Sequence, residues 1–339
     1  MQKDSFPKFK ALLKKSNHIV IVTHYNPDGD AMGSSLALYN YLIKVGKSVT
    51  VVTPNDYPTF LQWLPGNKKV LQFSKDLKKV AGIIAKSDLI FTLDFNNYSR
   101  LEGLGELLKD SKAKKIIIDH HQQPDNYATL MYHDVNACST CELVYEFICG
   151  LGGKKEIDKN IAACLYTGIM TDTGSFRFDS VTATTHTILA NLLSTGITPS
   201  TIHSAVYDTY SESRVKLLGY CLTEKMVVLS DFQAAYIALT EAELKRFNNQ
   251  KGDTEGIVNY PFSIKGITFC AFFAESEGKI KISFRSKGKF DVNQFARKHF
   301  NGGGHINAAG GRGNNYDLQK TVESFLDLLP IYKTEILKK

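Results

Sequence analysis

The sequence predicts an α/β protein, in which a parallel-sheet N-terminal domain with helices on both faces is joined by a linker to a smaller α+β C-terminal domain. Two observations lead to this prediction. In the first half, short β-branched apolar runs alternate with segments of helical periodicity, a pattern typical of a parallel sheet buried on both faces. The chain has 339 residues, which is too long for a single ordinary hydrophobic core, so two domains are expected.

The elements follow in order along the chain. The predicted strands of the first domain are 18–23, 48–53, 88–93 and 115–118, with 129–133 as a candidate fifth, and the predicted helices are 31–45, 139–150, 158–171 and 182–193. Gly196 and Pro199 break this pattern. We therefore place the first domain at 1–195, the linker at 196–214 and the second domain at 215–339, with strands at 225–229, 234–239, 268–274 and 279–285.

Composition narrows the class of protein. A hydrophobic content of 43% and a charged content of 22% are those of a folded globular chain. No run of eighteen apolar residues is present, which argues against a membrane span, and the first residues lack a secretory pattern, so a cytoplasmic location is expected. Cys138 and Cys141 form a CxxC without a second pair, so we expect buried thiols. The net charge of +7 fits an anionic ligand without establishing one.

Acidic and imidazole side chains follow several of the hydrophobic runs, each just past a C-terminal end. Parallel sheets place their ligands outside the carboxyl ends of the strands, so these side chains are expected to converge. Such a set indicates a divalent-metal site and metal-assisted hydrolysis. The residues are His24, Asp28, Asp30, Asp94, Asp119, His120, His121 and Asp172.

Other interpretations of single residues stay open. Pro27 stiffens the first loop and Gly29 lets it turn, so Asp30 is also a candidate N-cap of the following helix and His24 a satisfied loop histidine. That helix N-terminus also suits a phosphate. Asp94 alone is compatible with a turn residue.

Six of these side chains are candidate metal ligands, which is more than one tetrahedral zinc ion uses. They are His24, Asp28, Asp30, Asp94, His120 and Asp172. Two octahedral ions that share a bridging carboxylate would use all six, and mixed carboxylate and imidazole ligands favour Mn²⁺. Paired ions roughly 3.5–4 Å apart activate a bridging hydroxide and stabilise an in-line displacement at phosphorus. Of the adjacent His120 and His121, one would bind metal while the other faces substrate, with Asp119 a candidate support for the ligating ring.

These segments resemble the four motifs of the DHH phosphoesterase superfamily, named for the triplet that stands here as Asp119-His120-His121. The resemblance extends to the DHH-associated C-terminal domain through Ser283-Phe284-Arg285-Ser286, Asp291-Val292-Asn293, Gly302-Gly303-Gly304-His305 and Ala308-Ala309-Gly310. Asn301 stands where the family often has a further glycine. Because Asn tolerates left-handed backbone, we expect the loop geometry to survive.

The resemblance implies roles for these residues. One ion would be held by His24, Asp28 and Asp94, and the other by Asp30, Asp94, His120 and Asp172, so that Asp94 bridges them. His121 would be the catalytic residue near the scissile phosphate, as a general acid or a polarising donor.

The second domain would bind the rest of the substrate. Arg285 offers a bidentate fork for phosphate or carboxylate, and the glycine run would present backbone N–H groups to an anion. The alternatives are a solvated strand end for Arg285 and a flexible loop for the glycines. The full predicted substrate set is Arg285, Ser286, Asn293, Gly302, Gly303, Gly304 and His305.

The domain pairing resembles the stand-alone family members that trim very short RNAs and dephosphorylate 3′-phosphoadenosine 5′-phosphate. The expected partner is therefore a short RNA or nucleotide. No membrane association is expected, and a homodimer is an option. The expected cofactors are two divalent metal ions, with Mn²⁺ preferred. Hydrolysis of cyclic di-AMP or linear pApA is the alternative, followed by an exopolyphosphatase. A nucleotide-binding protein without catalysis is a hypothesis of a different class, and the complete ligand set argues against it.

Overall fold

The computed structural model describes residues 2–250, 252–276, 278–313 and 317–338. It divides into a first unit, Met1–Thr209, and a second unit, Tyr210–Lys339. The division falls inside the segment predicted as a linker. That segment contains a helix, Pro199–Tyr207, whose Ile202 and Val206 are buried in the core of the first unit.

The first unit is built on one seven-stranded sheet with the order β1-β7-β6-β5-β2-β3-β4. Strands β2 to β7 are parallel, and β1 pairs with β7 in the antiparallel direction. In chain order the elements are β1 (Gln2–Lys3), α1 (Phe6–Lys15), β2 (His18–Val22), α2 (Gly29–Lys44), β3 (Ser48–Thr53), β4 (Leu71–Gln72), α3 (Phe73–Lys86), β5 (Leu89–Leu93), α4 (Gly103–Asp110), β6 (Lys114–Asp119), β7 (Leu130–His133), α5 (Thr140–Gly150), α6 (Lys159–Asp172), α7 (Ala183–Leu193) and α8 (Pro199–Tyr207).

Both faces of this sheet are buried, as the continuous apolar runs predict. Ile21 and Phe91 belong to the larger core, formed with α1, α2 and α5 to α8. Val20 and Ile90, on the opposite face, pack with α3 and α4. The predicted parallel sheet with helices on both faces is confirmed, whereas α1, α3, α4, α8 and the short strands β1 and β4 were not predicted.

Helices α2 and α6 approach one another closely, and small residues make this possible. A Cβ on Gly33 would lie 2.6 Å from the Cys164 carbonyl oxygen, and a Cβ on Gly29 would lie 2.2 Å from Thr171 Oγ1. Only glycine leaves room for this contact. As a result the N-terminal end of α2 lies against the C-terminal end of α6, which ends at Asp172.

The second unit contains a six-stranded mixed sheet with the order β12-β13-β11-β10-β9-β8. Strands β9 and β10 are parallel, and the other pairs are antiparallel. In chain order the elements are α9 (Glu212–Tyr220), β8 (Met226–Leu229), β9 (Ala234–Leu239), α10 (Glu241–Arg246), β10 (Phe269–Ser276), β11 (Lys279–Ser286), α11 (Val292–His299), β12 (Gly303–Gly304), β13 (Ala308–Arg312) and α12 (Leu318–Ile336).

A phenylalanine-rich core stabilises one face of this sheet. Phe269 and Phe284 from the strands pack against Phe295 of α11 and Phe325 of α12, all of them fully or almost fully buried. The opposite face of β9 and β10 packs against α9, α10 and a 3-10 helix, Ile257–Ser263. The unit is α+β, as predicted, although the β12–β13 hairpin was not predicted.

The state of the cysteines agrees with the prediction from the sequence. All six cysteines are free, and every one except the half-buried Cys149 is buried, as the interpretation of the CxxC required. Among the described helices, not one has the length and apolar character needed to cross a membrane.

Candidate metal centre

The predicted ligands of the first unit meet at the carboxyl ends of three adjacent strands. Strand β5 lies between β6 and β2 in the sheet. Asp94 follows β5 directly, while His24 follows β2 and His120 follows β6. Strand order therefore puts Asp94 between the two histidines, and all three lie at the carboxyl edge of the sheet, where the sequence predicted them.

The loop between β2 and α2 is held at both ends. Asp28 is the N-cap of α2, and its Oδ1 accepts the N–H groups of Asp30 and Ala31, each at 3.1 Å. The alternative in which Asp30 caps this helix is therefore wrong. Asn26 and Asn55 clasp one another, since the Asn26 N–H donates to Asn55 Oδ1 at 2.8 Å and the Asn55 amide donates back at 2.7 Å. These bonds fix the loop that carries His24 and Asp28.

The first donor group contains His24, Asp28 and Asp94. His24 Nε2 lies 3.5 Å from Asp94 Oδ2 and 3.9 Å from Asp28 Oδ1. Its Nδ1 is 2.9 Å from the Tyr25 carbonyl oxygen, so Nδ1 carries a proton and Nε2 points into the group. Nε2 is buried and makes no hydrogen bond within the described part of the chain. A buried nitrogen that faces two carboxylates fits a bound cation.

The second donor group contains His120, Asp30, Asp94 and Asp172. His120 Nε2 lies 3.5 Å from Asp172 Oδ2, 3.7 Å from Asp94 Oδ1 and 3.8 Å from Asp30 Oδ2. Its Nδ1 donates to the Ala137 carbonyl oxygen at 3.1 Å, which again leaves Nε2 for the group. The structure thus brings all six predicted ligands into two groups.

Asp94 belongs to both groups through different oxygens. Oδ1 faces His120 and Oδ2 faces His24. The residue has a positive φ of 64°, a conformation uncommon outside glycine, asparagine and aspartate. This backbone turns the carboxylate into the middle of the site immediately after the strand ends.

Burial and the surrounding negative charge raise the pKa of one carboxyl group. Burial, together with the nearby carboxylates of Asp94 and Asp172, raises the pKa of Asp30 well above its ordinary value. Cations would remove this repulsion. Burial also raises the pKa of the Cys141 thiol well above its ordinary value, so a thiolate is not among the donors. Carboxylate oxygens and imidazole nitrogens without thiolate fit divalent ions such as Mn²⁺.

Asp119 supports a different histidine from the one expected. Its Oδ1 accepts a hydrogen bond from His121 Nδ1 at 2.7 Å. The ring of His120, the candidate metal ligand, is instead oriented by the Ala137 carbonyl oxygen. The expectation that Asp119 supports the metal-binding histidine is therefore wrong. His121 Nδ1 is also 3.7 Å from Asp94 Oδ1. Burial, with the positive charge of Arg100, lowers the pKa of His121 well below its ordinary value.

Two residues at this site were missed from the sequence. Arg100 lies in a 3-10 helix, Tyr98–Leu101, and its carbonyl oxygen accepts the Tyr25 N–H at 2.7 Å. Thr140, the first residue of α5, donates its hydroxyl to Asp94 Oδ1 at 2.9 Å. The only sequence signal for Arg100 was the polar segment after Asp94, and none pointed to Thr140.

In the second unit, the side chains of three predicted substrate residues make hydrogen bonds to nearby backbone. Arg285 is half-buried on β11, where its Nη1 donates to the Phe284 carbonyl oxygen at 2.9 Å. Ser286 donates its hydroxyl to the Phe290 carbonyl oxygen at 2.7 Å. Asn293 is fully buried, and its Oδ1 accepts the Gly304 N–H at 2.9 Å. Ser286 and Asn293 thus hold neighbouring backbone in place, and their contact with substrate stays a prediction.

The glycine run is part of a β-hairpin, not a flexible loop. The Gly302 N–H donates to the Ala296 carbonyl oxygen at 3.1 Å, and the Gly304 N–H is taken by the asparagine side chain described above. The expectation that these two N–H groups are presented to an anion is wrong, because both donate to groups of α11. Asn301 has φ 44°, the left-handed backbone expected for the residue that replaces a glycine.

His305 lies at the tip of the same hairpin. Its N–H donates to the Ala308 carbonyl oxygen at 2.7 Å, which closes the turn between β12 and β13. The residue is only partly buried. The substrate role of His305 stays a prediction.

Two families of known domains match the two units. Residues 18–169 match the DHH family, N-terminal domain, and residues 231–330 match the DHHA1 domain. A "bifunctional oligoribonuclease and PAP phosphatase NrnA" from Bacillus subtilis is 30% identical over 92% of this chain and 94% of its own. The protein of the same name from Thermus thermophilus is 30% identical over 91% of this chain and 88% of its own.

A solved structure supports the same assignment. The crystal structure of an exopolyphosphatase-related protein from Bacteroides fragilis matches 98% of this chain and 97% of its own, with a TM-score of 0.92 and 41% identity. Fold, matched domains and relatives define a hydrolase of the phosphoesterase class. The chain belongs to the DHH family, with a DHH domain followed by a DHHA1 domain, which confirms the resemblance found in its motifs.

Proposed function

We propose that this chain is a metal-dependent phosphoesterase that hydrolyses very short oligoribonucleotides and 3′-phosphoadenosine 5′-phosphate. The observation that carries the proposal is the position of Asp94, whose two oxygens face two separate groups of donors. A carboxylate shared in this way is what a pair of ions requires. The substrate class follows from the names of the two relatives that match most of the chain.

Two divalent ions, with Mn²⁺ preferred, fit the donors present. His24, Asp28 and Asp94 would hold one, and Asp30, Asp94, His120 and Asp172 would hold the other. When bound, such a pair lowers the pKa of coordinated water and stabilises negative charge on a phosphoryl group.

His121 is the residue to which we assign proton handling at the scissile phosphate. The 2.7 Å bond to Asp119 fixes its ring, and burial lowers its pKa below the ordinary value. The free protein therefore holds this ring neutral at pH 7. A general-acid role then depends on the negative charge of the substrate phosphate, which favours a protonated ring.

The second unit supplies the residues proposed for the rest of the substrate. Arg285 is suited to a phosphate because its guanidinium offers paired N–H donors. His305, at the hairpin tip, is proposed to contact the same ligand. The modest net charge of +7 agrees with short ligands, since binding to long nucleic acid depends on many phosphate contacts.

A substrate panel tests the proposal. Purified protein with Mn²⁺ would be assayed against RNA dimers to pentamers, 3′-phosphoadenosine 5′-phosphate, pApA, cyclic di-AMP and polyphosphate, and kcat/KM compared. We expect the short RNAs and 3′-phosphoadenosine 5′-phosphate to give the highest values, and Asp94→Asn to be inactive on all of them. Higher values for pApA or cyclic di-AMP would replace the proposed substrate class.

Polyphosphate is the second candidate substrate. It is favoured by the similarity of this chain to the exopolyphosphatase-related protein from Bacteroides fragilis. Turnover of polyphosphate above that of every nucleotide would support it. Binding of nucleotides without hydrolysis of any panel member would instead support the non-catalytic hypothesis. The complete set of six candidate ligands argues against that hypothesis.

A further inference from the structure

The N-terminus of α5 contacts two of the site's carboxylates. The Thr140 N–H donates to Asp30 Oδ2 at 2.6 Å, and the Cys141 N–H donates to Asp30 Oδ1 at 2.8 Å. The Thr140 hydroxyl donates to Asp94 Oδ1 at 2.9 Å. Thr140 is fully buried and both carboxylates are almost so, so water does not compete for these bonds.

Thr140 thus contacts the same two oxygens that face His120. Asp30 Oδ2 and Asp94 Oδ1 lie 3.8 and 3.7 Å from His120 Nε2. The hydrogen bonds to the two carboxylates differ in whether a side-chain substitution can remove them. Asp30 has two backbone donors, which no side-chain substitution removes, whereas Asp94 Oδ1 receives this hydroxyl from a side chain.

The start of α5 is itself rigidly fixed. Ser139 caps the helix by accepting the Glu142 N–H at 3.1 Å. The buried Glu142 carboxylate accepts the Thr185 hydroxyl at 2.7 Å and the Cys138 thiol at 2.9 Å. The Thr140 hydroxyl is therefore held in place before any ligand arrives.

We propose that Thr140 is a positioning residue that orients Asp94 so that its two oxygens serve both donor groups. This inference depends on the proposed two-ion function. With Oδ1 held by the hydroxyl on the side of His120, the other oxygen is directed toward His24. Without the hydroxyl, the Asp94 carboxylate is free to rotate about its own axis. Loss of such a partner behind a ligand typically weakens metal binding about 10- to 100-fold.

The ordinary alternative is that the hydroxyl only satisfies a buried carboxylate and contributes to stability. Thr140→Val keeps the shape of the side chain and removes the hydroxyl, while Thr140→Ser keeps the hydroxyl. Thr167→Val is a matched control, because Thr167 is equally buried but its hydroxyl donates only to the Ala163 carbonyl oxygen at 2.8 Å. Thr140→Ala serves as a second variant should valine prevent folding.

The test measures Mn²⁺ binding to metal-free protein by calorimetry and by electron paramagnetic resonance, which detects coupling between neighbouring Mn²⁺ ions. We expect wild type, Thr140→Ser and Thr167→Val to bind two coupled ions. Thr140→Val should bind the first ion within about threefold and the second about 10- to 100-fold more weakly, with the coupled signal lost at matched Mn²⁺. Thermal unfolding of the metal-free variants reports any purely structural effect.

The outcomes separate the two proposals. If Thr140→Val and Thr140→Ala bind two coupled ions as wild type does, the positioning role is wrong and the proposed function is unaffected. If wild type binds two coupled ions but hydrolyses none of the panel, the proposed function fails and the binding data still decide the role of Thr140. If wild type binds fewer than two ions, both are overturned.

Discussion

His24 Nε2 lies 3.5 Å from Asp94 Oδ2 in a buried site, and this contact couples metal binding to protons. Burial alone would lower the pKa of His24, but the nearby carboxylates of Asp28 and Asp94 outweigh it and raise the pKa to about 10 in the metal-free protein. At pH 7 an ion must displace that proton. We expect Mn²⁺ binding at pH 7 to release about one proton from this group. Calorimetry in buffers of different ionisation enthalpy measures the release, and the His24→Gln variant should lack it.

The same raised pKa predicts how the stability of the metal-free protein depends on pH. A histidine whose folded-state pKa lies above the unfolded value of about 6.5 stabilises the fold fully below that pH. The contribution is lost as the pH rises through about 10. The melting temperature of metal-free wild type should therefore fall between pH 7 and pH 10 more steeply than that of His24→Gln. Parallel curves would contradict a charged His24.

Asp172→Asn should improve the metal-free fold while it weakens metal binding. The Asp172 carboxylate contributes to the raised pKa of Asp30, which reports repulsion between the two groups. Because the Asp172 side chain is 31% exposed, removing its charge should stabilise the metal-free protein by about 1 kcal/mol or less. Thermal unfolding in chelator and in Mn²⁺ checks both effects. A variant that Mn²⁺ stabilises as strongly as wild type would contradict its assignment as a ligand.

Asp94→Asn should abolish activity and preserve the fold. Asparagine tolerates the left-handed backbone at φ 64° and can still accept the Thr140 hydroxyl, but it lacks the negative charge that two ions would share. We expect kcat/KM to fall at least 100-fold, on the order of the largest losses seen for groups around a metal. Asp94→Ala should be equally inactive and about 1 kcal/mol less stable, because alanine is strained there. Near-normal turnover of Asp94→Asn at limiting Mn²⁺ would show that the shared role is wrong.

Arg285→Ala should raise KM while it leaves metal affinity unchanged. Arg285 lies on β11 of the second unit, with its guanidinium held against the Phe284 carbonyl oxygen. If it binds a substrate phosphate, we expect KM to rise about tenfold, and Arg285→Lys to recover only part of this because lysine lacks the paired donors. Steady-state kinetics and Mn²⁺ titration distinguish the effects. A selective loss of Mn²⁺ binding would contradict the assignment.

Much of the site was predictable because it follows from the parallel direction of the strands. His24, Asp94 and His120 each lie within two residues of the end of a strand, and parallel strands present their carboxyl ends at one edge. Asp172 is different, since it ends a helix and not a strand. Its position depends on the close packing of α6 on α2 through Gly29, a contact that the sequence did not reveal.

The remaining details depend on contacts between distant segments. Thr140 reaches Asp94 from 46 residues away, and nothing in its local sequence distinguishes it from any first residue of a helix. The hydrogen bond from His121 to Asp119 spans only two residues. Whether Asp119 supports the ring of His120 or that of His121 depends on the direction of the backbone after β6. The Gly302 and Gly304 N–H groups were expected to face an anion because their acceptors, the Ala296 carbonyl oxygen and the Asn293 side chain, belong to α11 and lie outside the glycine motif.

Two adjacent glycines should respond differently to the same substitution. A Cβ on Gly302 would lie 2.0 Å from the Gly310 carbonyl oxygen, a backbone atom that cannot yield, whereas a Cβ on Gly303 would meet only the Arg297 guanidinium at 3.5 Å. Gly302→Ala should destabilise the second unit by about 2–3 kcal/mol, and Gly303→Ala should change stability by about 0.5 kcal/mol or less. If the run contacts substrate, Gly303→Ala should also raise KM at an unchanged melting temperature. Equal melting temperatures for the two variants would contradict the hairpin pairing, because only one of the two added methyl groups meets backbone there.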